Sequence, residues 1–278
     1  MKLYKTRTDI LIENEKQFFL LNNEQWDSFI NNDNLLQKMK KIVRSANPVE
    51  IDFKKFEKQL EAPVQSQELW AAGVTYLRSK IERQEESKEA GGGNFYAHVY
   101  EAERPELFFK AAKQRIASPG GRVRIRKDSA WNVPEPELTL VISSSGKIVG
   151  YTIGNDMSSR SIEGENPLYL PQAKIYEGCA ALGPCIYVPG VPLPLETDIR
   201  LEIKREKKSV FSGSVKIGQI KRKFEELVSF LYRECSFPHG SLLMTGTGIV
   251  PANDFTLMSK DEIIIEIEPI GILKNIVE

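Results

Sequence analysis

The sequence predicts an α+β fold dominated by strands, and three observations carry that expectation. Short apolar-rich segments bounded by Pro and Gly recur along the 278 residues; one clear amphipathic helix interrupts them; and neither an alternating strand–helix rhythm nor an internal repeat is present. The length implies one main domain with a small one appended.

Residues 1–60 read as the small N-terminal α+β domain. "KLYKTRTDILIE" and "KQFFLL" have the character of a strand pair, and the segment from Glu24 to Val43 spaces Trp26, Phe29, Ile30, Leu35, Leu36 and Met39 as one face of a helix. Pro48 and the Pro63 stretch "EAPVQS" punctuate the passage into a catalytic domain over residues 61–278, which opens on the strand-like "LWAAGVTY". A charged helical stretch follows from about Ser79 and ends in Gly91, Gly92 and Gly93. Those glycines lack the Lys and hydroxyl that a phosphate cradle needs behind them, so they read as a connector, or as a lid over a site. Beyond them "RVRIRK", "ELTLVI", "KIVGYTIG", "DIRLEIKRE" and "EIIIEIEPI" read as strands, and Lys223 to Cys235 as the amphipathic helix.

Composition excludes several classes of function. Basic and acidic residues balance at 38 each, which gives no electrostatic reason for binding nucleic acid or an anionic membrane. No apolar run approaches the roughly 20 residues of a membrane helix, and "MKLYKTRTDI" lacks the apolar region of a signal peptide, so a cytoplasmic enzyme is expected. Cys179, Cys185 and Cys235 include no C-x-x-C pair, and the two histidines, His98 and His239, are too few for a zinc site or a Ser-His-Asp hydrolase; all five residues read as structural. Chemistry is left to carboxylates, lysine or an oxygen-bound metal.

The segment "VPEPELTLVISSSGKIVGYTIGND" answers to that description. With Ser145 and Gly146 at the tip of a tight turn, Leu138 faces Ile153, Leu140 faces Tyr151 and Ile142 faces Val149, three apolar pairs on one side. The same register sets Asp156 opposite Glu135, and the period of two brings Glu137 to their side. Like charges so placed repel unless a cation or a shared proton lies among them. A hard divalent ion suits the all-oxygen set: Mg²⁺, with Mn²⁺ or Ca²⁺ as alternatives. The plainer reading is an acidic face neutralised by nearby Lys and Arg.

With these residues in view, the chain from about residue 66 onward resembles the fumarylacetoacetate hydrolase family, through "WAAGVTY", "RPELFFK", "PEPEL", "GYTIGNDMSSR", "LPQAK" and "MTGTGIVP" in that order. The resemblance implies a mixed β-roll-like catalytic domain and a homodimer or dimer of dimers. It also implies a metal on Glu135, Glu137 and Asp156, a substrate contact from Lys174, and a substrate carboxylate held near Thr247. Read alone, Lys174 could be a surface lysine, and "TGTG" an ordinary turn.

One departure bears on the reaction. Hydrolytic members of the family carry a histidine and then a glutamate after the strand matching "GVTY"; here Ser79 stands in the histidine's place, with Glu82 retained. The segments "RPELFFK" and "SIEGENPLYLPQAK" resemble instead the branch that dehydrates 2-keto-3-deoxy pentonates. That resemblance implies a lyase of carbohydrate catabolism, giving a 2,5-dioxo acid through a metal-stabilised enolate, with Glu106 and Lys174 as the candidate proton-transfer residues and their roles interchangeable. An acylpyruvate-type hydrolase or an oxaloacetate decarboxylase is the alternative. Glu106 after Pro105 could equally start a helix, and Arg160 reads as a salt-bridge residue outside the site.

Overall fold

The computed structural model describes the backbone of residues 1–86 and 98–278, with side chains described outside 82–97; the Glu82 side chain and the three glycines therefore lie outside the described residues. Two sheets carry the molecule. Among the described residues the larger contains ten strands: β1 (Lys2–Lys5), β2 (Asp9–Asn14), β3 (Gln17–Asn22), β4 (Glu68–Gly73), β5 (Glu106–Ala111), β6 (Ile116–Ala117), β8 (Asn132–Ile142), β9 (Ile148–Ser159), β10 (Ala180–Tyr187) and β13 (Ser241–Met244). Their order is β3-β2-β1-β10-β9-β8-β13-β4-β5, with the short β6 also pairing with β10. The smaller sheet orders β12 (Lys208–Lys216), β11 (Asp198–Arg205), β14 (Glu262–Ile267), β15 (Gly271–Val277) and β7 (Arg122–Val123). This is the α+β architecture expected.

The core lies between the sheets. Leu138, Leu140, Tyr151 and Ile153 from the larger sheet meet Ile199, Leu201, Ile203, Ile263, Ile265 and Ile267 from the smaller one. The opposite face of the larger sheet buries a second cluster, in which Leu3, Ile10, Ile12, Phe19, Leu182 and Ile186 pack with Trp26, Phe29, Leu35 and Met39. Because both faces are covered, all eleven residues of β8 are buried. Pro134 and Pro136 fit this central strand because pairing with β13 spans only Thr139–Ile142, so that the edge beside them needs no N–H from either.

The N-terminal segment departs from expectation in two ways. Its first predicted strand is broken into β1 and β2 by a turn in which Thr6 N–H donates to Asp9 O at 3.0 Å and Asp9 N–H to the Thr6 hydroxyl at 3.0 Å. Its helical stretch divides into Trp26–Ile30 and Leu35–Ser45, because Asn32 Oδ1 accepts from Asn34 N–H at 2.8 Å and diverts the backbone from the helix. The strands continue the larger sheet through β1, with Leu3 opposite Ile186. The later amphipathic helix spans Phe224–Leu231, shorter than its sequence pattern, and the charged helix begins at Leu77.

Candidate active site

The β8–β9 hairpin sets Glu135 opposite Asp156, Leu138 opposite Ile153 and Leu140 opposite Tyr151, the register expected. The turn itself differs. Gly146 N–H donates to Ser143 O at 3.0 Å, so Ser144 and Ser145 form the tip, and Gly146 takes the left-handed conformation at φ 81°. The extra residue shifts the pairing between Val141 and Ile142, so Ile142 faces Ile148 rather than Val149. The shift lies at the far end of the hairpin and leaves the acidic end in register. Carboxylate oxygens of Glu135, Glu137 and Asp156 lie within 4.8 Å of one another, and all three residues are buried.

Three buried cations and a fourth carboxylate surround this trio. Lys174, 1% exposed rather than a surface lysine, ends a short helix (Leu170–Lys174) and directs Nζ to Glu135 Oε2 at 2.7 Å, Ser158 Oγ at 2.6 Å and Asp156 Oδ2 at 3.2 Å. Arg160 donates to Glu135 Oε1 at 2.7 Å, so the salt bridge expected of it is made inside the site. Lys110, on β5 and 0% exposed, pairs with Asp156 Oδ1 at 2.6 Å and donates to the carbonyls of Met157, at 2.9 Å, and Lys174. Glu163 lies 3.8 Å from Lys174 Nζ and 3.9 Å from Arg160.

Glu137 stands apart in its partners. It accepts from Gly246 N–H, while burial first, and then Asp156 and Glu135, push its carboxyl well above the usual carboxylate range; Lys174 and the Gly246 bond oppose them. A buried, hard, all-oxygen donor set in which one carboxyl is held up by its acidic neighbours fits a divalent cation, whose charge would relieve that repulsion.

A narrow cleft of about 10 Å³ lies on these residues, lined also by Ala72, Gly73, Val74, Ser79, Phe108 and Thr247. Thr247 is buried, its hydroxyl donating to Ile249 O at 3.2 Å and accepting from Ile249 N–H at 3.2 Å. Ser79 donates to Tyr76 O at 2.8 Å. Glu106 opens β5 as a half-buried strand residue opposite Gly73, not as a helix start, because the chain from Glu106 onward pairs with β4. His98 and His239 are exposed and do not line the cleft.

The family model for the C-terminal domain of fumarylacetoacetate (FAA) hydrolase matches residues 70–278. The chain belongs to the fumarylacetoacetate hydrolase family. A protein of Haloferax volcanii named as a probable 2-keto-3-deoxyxylonate dehydratase is 45% identical over 220 residues, covering 79% of this chain and 75% of its own. The 2-dehydro-3-deoxy-D-arabinonate dehydratase of Saccharolobus solfataricus is 44% identical over 217 residues, covering 77% and 73%. A solved structure of 2-keto-3-deoxy-D-arabinonate dehydratase complexed with magnesium and 2,5-dioxopentanoate matches at a TM-score of 0.85 and 35% identity, over 100% of this chain and 99% of that one.

Within this family member, Lys110, Ser158, Glu163 and Gly246 escaped the sequence reading, and Arg160 was set outside the site. A signal existed for Lys110. In "ELFFK" the period of two puts Glu106, Phe108 and Lys110 on one face, and the Phe108 ring lies 5.7 Å from Lys174 Nζ. No pattern in the chain marks Glu163 or Ser158; only the fold brings them to Lys174.

Proposed function

We propose that this protein is a Mg²⁺-dependent hydro-lyase that converts a 2-keto-3-deoxy pentonate into 2,5-dioxopentanoate. The observation that carries this reading is a buried Glu135–Glu137–Asp156 cluster in a chain that matches, from end to end, a dehydratase complexed with magnesium and 2,5-dioxopentanoate.

Glu135, Glu137 and Asp156 would hold the ion, which when bound supplies the Lewis acidity that makes the proton beside a 2-keto group removable. The other roles fall to the chain. Lys174 directs its ammonium at three oxygens, on Glu135, Ser158 and Asp156, so its three N–H donors are engaged and it presents positive charge rather than a lone pair. This leaves Glu106 to take the C3 proton. Its strand also carries Phe108, whose apolar ring lines the cleft. Loss of the C4 hydroxyl as water then leaves a C3–C4 enone with a C5 hydroxyl, and transfer of the hydroxyl hydrogen and one C5 hydrogen onto C3 and C4 leaves the C5 aldehyde of the 2,5-dioxo acid. Thr247, with the backbone of the "TGTG" loop, would hold the substrate carboxylate.

Ser79 supports dehydration over hydrolysis. Its hydroxyl is bonded to the Tyr76 carbonyl and offers no imidazole to activate water. A homodimer or dimer of dimers, a cytoplasmic setting, and a boundary near residue 60 between an N-terminal unit (residues 1–60) and a catalytic unit (61–278) belong to the same proposal. The family match beginning at residue 70 supports that boundary.

The test is incubation with Mg²⁺ and 2-keto-3-deoxy pentonates, acylpyruvates and oxaloacetate, followed by NMR. The aldehyde signal of 2,5-dioxopentanoate from the pentonate is expected. Turnover confined to carbon–carbon cleavage or to release of carbon dioxide would refute the assignment.

A further inference from the structure

We infer that Gly73 is a positioning residue for Glu106: its missing side chain is the space in which the Glu106 carboxylate lies. This rests on the reading of Glu106 as the proton-transfer group.

Strands β4 and β5 pair antiparallel, with Gly73 opposite Glu106 and Ala71 opposite Phe108. Glu106 and Phe108 alternate onto one face of β5, where Phe108 lies beside Lys174, and the pairing shift beyond Phe109 brings Lys110 to Asp156 on the same side. Glu106 therefore stands on the strand face that turns toward the acidic trio. Directly across from it, Gly73 lines the cleft. A Cβ built on Gly73 would fall 1.8 Å from Glu106 Oε2, 2.6 Å from Cδ and 3.3 Å from Cγ. The Glu106 side chain thus lies across the Gly73 Cα, in volume that any other residue would occupy.

Backbone conformation does not account for the glycine. Gly73 is not among the positive-φ glycines, and the left-handed conformation falls one residue later on Val74, at φ 52°. A β-branched residue tolerates that region poorly and glycine tolerates it freely. The local turn would be relaxed by a glycine at position 74, yet the glycine stands at 73, where the need is for room rather than for φ. The atoms a Cβ would meet are the far end of a flexible side chain, so Gly73→Ala moves the carboxylate aside and leaves β4 intact.

The experiment is a double-mutant cycle of Gly73→Ala and Glu106→Ala in the Mg²⁺-loaded enzyme, read by steady-state kinetics, thermal melting and Mg²⁺ calorimetry. Proton-transfer groups contribute about 10²–10⁴-fold. Gly73→Ala is expected to lower kcat at least ~100-fold on that scale, with KM changed less than about threefold and Mg²⁺ affinity retained. In the Glu106→Ala background, Gly73→Ala should cost no further activity and should lose whatever Tm shift it causes in the wild type. If Glu106→Ala abolishes turnover while Gly73→Ala does not, the inference about Gly73 is overturned and the role of Glu106 stands. An equal Tm shift from Gly73→Ala in both backgrounds would also overturn it, because the clash would then lie elsewhere. Should Glu106→Ala retain turnover, the assignment of Glu106 falls, and with it the placing of a catalytic group by Gly73.

Discussion

Lys110 brings a full charge into the interior, and Asp156 Oδ1 with the carbonyls of Met157 and Lys174 receives it. Breaking a buried pair by removing one partner leaves the other charge uncompensated, at about 3–5 kcal/mol. Lys110→Met should lower the unfolding free energy read from urea titration by that much, and should weaken Mg²⁺ binding in calorimetry because Asp156 loses the partner that orients it. Glu135→Gln should remove Mg²⁺ uptake and with it turnover; full activity in that variant would show that the trio is not the metal centre. Glu137 makes a pH prediction. Its folded carboxyl is raised by burial and by Asp156 and Glu135, so the metal-free native state holds a proton that the unfolded chain releases. Stability from this group is present below the unfolded carboxyl value of about 4.3 and is lost as pH rises toward the folded one. Melting between pH 5 and 8 should show Mg²⁺ raising Tm increasingly at higher pH, and Glu137→Gln should flatten that trend. Lys110 and Glu137 were legible to different degrees. Alternation on β8 located the glutamate, whereas the lysine's partners lie 46 to 64 residues away along the chain and no local pattern connects them.

The β8–β9 hairpin shows how an element can be read from sequence while its turn is not. Apolar pairs at Leu138–Ile153 and Leu140–Tyr151 hold the register, since a slip of one residue would turn every side chain to the other face. The one-residue error at the tip arises because a two-residue and a longer Gly-ended turn share the same "SSSGK" signature, and only the Gly146 conformation separates them. Leu138 is 0% exposed on the face opposite the acids. Leu138→Ala should cost about 2–5 kcal/mol in chemical unfolding while Mg²⁺ affinity is kept below the melting transition, because the cavity opens between the sheets rather than at the site. Equal loss of both would mean that the hairpin does not separate packing from ligation.

Over the whole molecule, the first strands and the catalytic strands share one sheet and one buried cluster: Leu3, Ile10 and Ile12 pack with Leu182 and Ile186. The proposed boundary near residue 60 is therefore crossed by core contacts. Urea unfolding followed by tryptophan fluorescence, from Trp26 in the first unit and Trp70 and Trp131 in the second, should show one transition; two separated transitions would show that the units are independent. Light scattering should report a mass of twice or four times the 31.5 kDa chain. Among the described residues no helix is long and apolar enough to cross a membrane.

Short-range order was set by the sequence alone. Periodicity of two makes β8 and β9, their apolar pairs place Asp156 across from Glu135, and three carboxylates on one buried face require a counter-charge. Tertiary structure decided what surrounds them. Lys110 from β5, Arg160 and Glu163 from the segment after β9, and Lys174 from the end of its short helix converge because the larger sheet sets β5 and β9 on either side of β8, β13 and β4, and the following helices fold back across that face. Coulomb attraction at distances between 2.6 and 3.9 Å depends on where chains meet in space, and no local spacing in the sequence records it.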